Sequence, residues 1–161
     1  MSESLLIHAT TIAIETAVGP RAVLLRGPSG SGKSDLGLRL IDAGGRLVAD
    51  DQSELERRGA LIIVRSPPTI AGLIEVRGLG IVRVEALAEA PLALITDLMP
   101  AETIERLPEQ AKERLLGLDL PRIAVAPFEA SAAAKVALAV RAVAGPGPLG
   151  SQRLAALVNT Q

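Results

Sequence analysis

Eight consecutive residues, Gly27-Pro28-Ser29-Gly30-Ser31-Gly32-Lys33-Ser34, carry the spacing G-x-x-x-x-G-K-[ST]. Glycines at these positions let the backbone curl so that successive N–H groups point inward at phosphate oxygens. A helix starting there adds partial positive charge. Lys33 supplies a mobile cation for the β- and γ-phosphates, and the Ser34 hydroxyl is a hard oxygen ligand for Mg²⁺. Asp50 and Asp51 follow seventeen and eighteen residues after Lys33. At the end of a strand beside the loop strand, two adjacent carboxylates could serve as metal ligand and general base. Neighbouring side chains on an extended chain point opposite ways, so one can face the phosphates while the other faces away. Glu75 and Arg77 share one face of a predicted strand, next to Gly78 and Gly80. Two glycines there favour close approach of another group to the backbone.

The elements that must hold these residues follow from periodicity. Alternation at Thr11–Thr16 and the apolar run Ala22–Leu25 predict two strands joined by a turn at Val18–Arg21. A helix is predicted from Gly32 to Ala43, with Leu36, Leu40 and Ala43 on its core stripe, helped by Ile41, and Gly44-Gly45 at its end. Leu47-Val48-Ala49 is a short buried strand that delivers the aspartates. Leu55–Arg57 and Leu61–Arg65 flank Arg58-Gly59 as a hairpin. Further strands are expected at Leu73–Val76, Ile81–Val84, Leu92–Thr96 and Ile123–Ala126. Glu102–Leu116 reads as polar and partly helical, its Glu102, Glu105, Arg106, Glu109, Lys112 and Glu113 forming an exposed face. Glu129–Val143 is the clearest helix. The division expected is one catalytic domain over residues 1–144 and a Gly/Pro-rich linker with a short tail over 145–161.

Composition removes several classes of function. The 161 residues hold 17 Lys and Arg against 18 Asp and Glu, a net charge of -1 that does not suit a general nucleic-acid binder. The absence of cysteine excludes thiol nucleophiles and cysteine zinc sites, and a single histidine, His8, excludes a multi-histidine metal centre. Phe128 is the only aromatic residue, so base-stacking platforms for single-stranded nucleic acid are missing. The most apolar stretch, residues 132–144, is broken by Lys135 and Arg141 and is too short for a bilayer of about 30 Å. No targeting segment is visible, and a soluble cytoplasmic protein is expected.

Three blocks together resemble the catalytic domain of bacterial HPr kinase/phosphorylase: Gly27–Ser34, Arg46-Leu47-Val48-Ala49-Asp50-Asp51, and Leu73-Ile74-Glu75-Val76-Arg77-Gly78-Leu79-Gly80-Ile81. The third is similar to the family signature. The likeness runs over about residues 5–143 and is to the short alphaproteobacterial form, without the N-terminal domain of longer members. It implies an α/β fold with a P-loop-containing mixed β-sheet flanked by helices, similar also to phosphoenolpyruvate carboxykinase. It further implies ATP and Mg²⁺ as cofactors and the phosphocarrier protein HPr as partner, phosphorylated on a serine. Reversal by inorganic phosphate with release of pyrophosphate, and a homo-oligomer, a hexamer in the family, are implied as well. The resemblance gives Lys33 and Ser34 to phosphate and metal, and Asp51 to proton transfer with Asp50 in support. It gives Glu75 to the metal, Arg77 to the signature loop, and His8 and Arg106 to the active site. Two departures stand out. The family's His-Gly is His8-Ala9 here, and Pro127-Phe128-Glu129-Ala130-Ser131 replaces a basic loop tied to dephosphorylation. The kinase direction is therefore implied more directly than the reverse.

Two other readings of the nucleotide loop remain open at this level. A small-molecule P-loop kinase needs an arginine-bearing lid, for which Arg106 and Arg114 are the candidates. A nucleotide-sensing module without transferase activity, if it bound guanine, should carry N/T-K-x-D, which the sequence lacks.

Overall fold

The computed structural model describes residues 3–144. Eleven strands and two helices are present among them. Strand β1 (Ser4–Ile7) leads into β2 (Ala9–Thr16) and β3 (Gly19–Arg26), and helix α1 (Lys33–Asp42) follows the Gly27–Gly32 loop. Next come β4 (Arg46–Ala49), β5 (Ser53–Arg58), β6 (Leu61–Arg65), β7 (Leu73–Val76), β8 (Gly80–Arg83) and the long β9 (Glu89–Leu98). The hairpin β10 (Ala111–Leu115) and β11 (Leu118–Val125) precedes α2 (Ala132–Val143). Single 3₁₀ turns occupy Pro68–Ile70 and Ala101–Thr103.

Nine strands form one mixed sheet with the order β1-β5-β6-β9-β3-β2-β4, and β11 with β10 joins at β9. β9 is shared in an unusual way. Its first residues pair antiparallel with β6, while Ile95–Leu98 pair parallel with Arg122–Val125 of β11. Along its other edge it runs parallel to β3. The sheet therefore forks at β9, and the carboxyl ends of β3, β9 and β11 emerge side by side. β7 and β8 make a separate two-stranded sheet.

Each face of the main sheet has its own apolar core. On one face Ile12, Val23, Leu25 and Leu94 pack against Leu36 and Leu40 of α1 and Val136 and Val140 of α2. On the other, Ala22, Leu24, Val48 and Ile95 pack against Leu55, Ile62 and Val64 of the β5–β6 hairpin. The period-2 alternation of β3 sets this division: odd residues face the helices and even residues face the hairpin. α1 approaches the sheet closely because Gly37 faces it, where an added Cβ would lie 3.2 Å from Thr10 Cγ2 and 3.4 Å from Ile12 Cδ1.

Several sequence expectations need correction. Ala43 is exposed at the end of α1, and Gly37 takes its place on the buried stripe. The β2–β3 turn is Ala17-Val18, because Gly19 and Pro20 already pair with Thr16 and Glu15. Residues 102–116 are not helical: after the short 3₁₀ turn the chain is irregular and then forms β10. Residues 129–131 form a turn that precedes α2. The expected linker and tail over 145–161 lie outside the described residues. Neither helix among the described residues is long and apolar enough to cross a membrane.

Candidate functional site

The Gly27–Gly32 loop leaves the carboxyl end of β3 and feeds the first turn of α1. It folds back on itself: Ser31 N–H donates to the Pro28 carbonyl at 3.0 Å. A Cβ at Gly27 would press on the side chain of Ser31, which would have to shift to make room. Gly32, with φ 100, caps α1 in the left-handed region. Lys33 is only 5% exposed, and its Nζ donates to the carbonyls of Gly27 at 2.8 Å and Pro28 at 3.2 Å. The ammonium is thus held over the loop. Ser31 Oγ is buried with no hydrogen-bond partner among the described residues. A buried polar atom left unpaired is costly in a native fold, and a ligand in the loop could satisfy it.

Asp50 closes the site from β4. It is buried, and its carboxylate accepts three hydrogen bonds: from Thr10 Oγ1 at 3.0 Å, Ser34 Oγ at 2.7 Å and the Glu75 backbone N–H at 2.9 Å. A buried carboxylate needs such partners. The result joins β2, α1, β4 and β7 through one side chain. Ser34 Oγ and Asp50 Oδ1 are neighbouring hard oxygens, the donor type and spacing that suit Mg²⁺. Glu75 meets Asp50 through its backbone N–H, and its side chain is exposed.

Asp51 is set up differently. Its φ is 65, and Gln52 N–H donates to the Asp50 carbonyl at 2.7 Å, closing a three-residue turn with Asp51 at its apex. A γ-turn of this hand is rare and strained, and Asp is among the few non-glycine residues that tolerate the left-handed region. Thr10 Oγ1 helps to hold the turn by accepting the Asp51 N–H at 3.1 Å while donating to Asp50. The turn pushes the Asp51 carboxylate outward, where it is about half exposed. There it lies 2.5 Å from His8 Nε2 and 3.8 Å from Lys33 Nζ. The His8–Asp51 separation is within hydrogen-bond reach. Strain of this kind concentrates at functional positions.

The sequence pattern of the HPr Serine kinase C-terminal domain family matches residues 1–144. The chain belongs to that family. The HPr kinase/phosphorylases of Burkholderia cenocepacia (strain HI2424) and Burkholderia mallei (strain SAVP1) are each 36% identical over 136 residues, covering 78% of this chain and 42% of their own length. This chain therefore spans less than half of these curated relatives. The solved structure of the Hpr(Ser) kinase/phosphatase from Coxiella burnetii superposes with a TM-score of 0.72 at 26% identity, over 83% of this chain and 88% of that one. The mixed sheet with two helices is thus the fold of an HPr Serine kinase C-terminal domain.

Within this family member, Lys33, Ser34, Asp50, Asp51 and His8 converge, and Glu75 joins them by its backbone. Arg77 and Arg106 do not. Both are exposed, and no hydrogen bond among the described residues links either to the aspartates. Sequence reading gave no role to Thr10, whose hydroxyl serves both aspartates; inside an apolar alternation it reads as core. A second polar cluster was also missed. Arg26 donates to Asp97 at 2.8 and 3.2 Å and to Glu113 at 2.6 and 2.8 Å, and Arg122 donates to Glu113 at 3.1 Å. Hydrogen bonding to Arg26 holds the Glu113 carboxyl below the usual carboxylate range, against the opposing effect of burial. The same pairing raises Arg26 and keeps it charged.

Proposed function

We propose that this chain is a protein-serine kinase that transfers the γ-phosphoryl group of ATP, with Mg²⁺, to the serine hydroxyl of HPr. The observation that carries this reading is the division of labour between adjacent aspartates, one buried and bonded to Ser34, the next exposed near Lys33. Gly27–Gly32 would cradle the phosphates with backbone N–H groups, and Lys33 would leave its loop carbonyls to pair with the β- and γ-phosphates. Ser34 and the Glu75 carboxylate would hold Mg²⁺ beside Asp50. When bound, the ion neutralises charge developing on the phosphate oxygens.

The transition state for phosphoryl transfer is loose, so the protein contributes mainly position and charge. Asp51 would accept the serine proton, and the His8 N–H would orient the carboxylate for it. In the reverse direction the same carboxyl would donate that proton while inorganic phosphate attacks phosphoserine to release pyrophosphate.

The test is initial rate against Mg²⁺ concentration, with labelled ATP and purified HPr and with phosphoserine located by mass. Asp51→Asn keeps size and hydrogen-bonding shape but cannot take the proton. It should lose about 10²–10⁴ in rate at every metal concentration. Glu75→Gln removes a metal ligand, so its defect should be partly relieved by excess Mg²⁺. Recovery of Asp51→Asn at high metal would move Asp51 to the metal and the base to Asp50. ATP consumption without phosphoprotein would overturn the kinase reading.

A further inference from the structure

Phe128, the only aromatic residue of the chain, is 73% exposed in the loop between β11 and α2. One exposed apolar side chain needs no explanation; the position of this one does. β3, β9 and β11 run parallel, and ligands of open α/β sheets bind outside the carboxyl ends of such strands. β3 releases the Gly27–Gly32 loop there, and β11 releases the loop that carries Phe128. The two loops touch. A Cβ built on Gly32 would lie 3.0 Å from Phe128 Cζ, 3.2 Å from Cε1 and 3.3 Å from Pro127 Cβ. The Cζ and Cε1 atoms of the ring therefore lie against Gly32, the residue that precedes Lys33, and most of the side chain stays open to solvent.

The loop is also fastened to α1. Arg39 donates to Asp35 Oδ2 at 3.0 and 3.2 Å, to the Glu129 carbonyl at 3.3 Å and to the Pro127 carbonyl. These bonds bracket Phe128 on both sides along the chain. An aromatic ring held in place next to a phosphate cradle is what a nucleobase needs for stacking.

We propose that Phe128 is the stacking platform for the purine base of the bound nucleoside triphosphate. This base subsite rests on the nucleotide reading given above and extends it. Stacking uses the π-face common to all bases, so the gain in affinity belongs to ATP and GTP alike and not to the phosphate chain alone.

Calorimetric titration of wild type, Phe128→Ala and Phe128→Leu with Mg·ATP and with Mg·tripolyphosphate separates base from phosphate. Both variants should bind ATP about tenfold more weakly and tripolyphosphate as wild type does. The chain contains no Trp or Tyr, so Phe128→Trp places a single indole at the platform. Its emission should be quenched by ATP and GTP and left unchanged by tripolyphosphate. Equal ATP affinity in wild type and Phe128→Ala, with tripolyphosphate still bound, overturns the platform and leaves the kinase reading intact. Loss of both ligands in Phe128→Ala would assign Phe128 to loop support and overturn the proposal. Failure of wild type to bind either ligand would overturn the nucleotide reading and the platform with it.

Discussion

On the helix-bearing side of the sheet, Asp50 accepts from Thr10, Ser34 and Glu75, and Asp51 stands out on a strained turn within reach of His8 and Lys33. On the hairpin side, at the same strand ends, Arg26 is held between Asp97 and Glu113, with Arg122 completing the group. β3 separates the two clusters: Leu25 faces the helices, and Arg26 faces the other way. The second cluster is closed. Each of its charges is spent on another, with two hydrogen bonds on Asp97 and three on Glu113, so it holds β3, β9, β10 and β11 in register. The first cluster is open. One aspartate is satisfied, while its neighbour keeps an exposed carboxylate on a backbone that costs about 1–3 kcal/mol to maintain. Charged groups at a sheet end thus divide into those that fix structure and those kept free at an energetic cost.

Three substitutions test this contrast. The largest effect should come from Lys33→Ala, which removes the cation of the open cluster. Phosphoryl transfer should fall by at least about 10², while a thermal melt still shows a cooperative transition. Global unfolding would make Lys33, already 5% exposed, a structural residue and erase the contrast. Thr10→Val should come next. Thr10 is fully buried, and losing its hydroxyl leaves the Asp51 N–H without its partner and Asp50 with two donors in place of three. We expect about 1–2 kcal/mol of stability to go, with a drop in kcat larger than any change in KM for ATP. A stability loss with unchanged kcat would show that the turn at Asp51 does not need Thr10.

The smallest effect belongs to the closed cluster. Glu113→Gln should cost about 1 kcal/mol in denaturant unfolding at neutral pH and leave kcat unaltered. The sign with pH is fixed by the hydrogen bond from Arg26, which lowers the folded-state pKa of Glu113 from 4.5. A lowered carboxyl stabilises the fold above the unfolded value and loses that contribution as pH falls through the folded one. The gap between wild type and Glu113→Gln should therefore stay constant above about pH 5 and narrow on further acidification. A gap that widens in acid would mean that Glu113 contributes through something other than Arg26.

Legibility from sequence followed the same division. The convergence of the loop, Ser34 and the two aspartates was readable because the strand–loop–helix–strand order implied by their spacing is the order observed. The strands β4, β5, β6 and β7 were readable from alternation and from Gly59, whose φ of 63 makes the hairpin turn. The closed cluster was not, because it depends on β10, and β10 was concealed twice. Its charges Lys112, Glu113 and Arg114 imitate a solvated helix, and its turn is Leu116-Gly117, with φ values of 49 and 82. Such a turn is ordinarily announced by Asn-Gly or Asp-Gly, since leucine is disfavoured in that backbone region. β1 escaped because four residues at a sheet edge carry little pattern. Thr10 escaped because a hydroxyl that bridges two aspartates across forty residues leaves no local mark.

The fork at β9 has a dynamic consequence. A strand paired along both edges cannot release its amides by fraying, so Ile95, Thr96 and Asp97, which lie between β3 and β11, should exchange their protons with solvent only when the whole domain opens. The β7–β8 ribbon stands outside the main sheet and should exchange through local excursions that leave β9 untouched. The backbone amide of Glu75 belongs to that ribbon, yet it is tied to Asp50. Its exchange rate would therefore report how often the signature ribbon lifts away from the buried aspartate while the rest of the molecule stays folded.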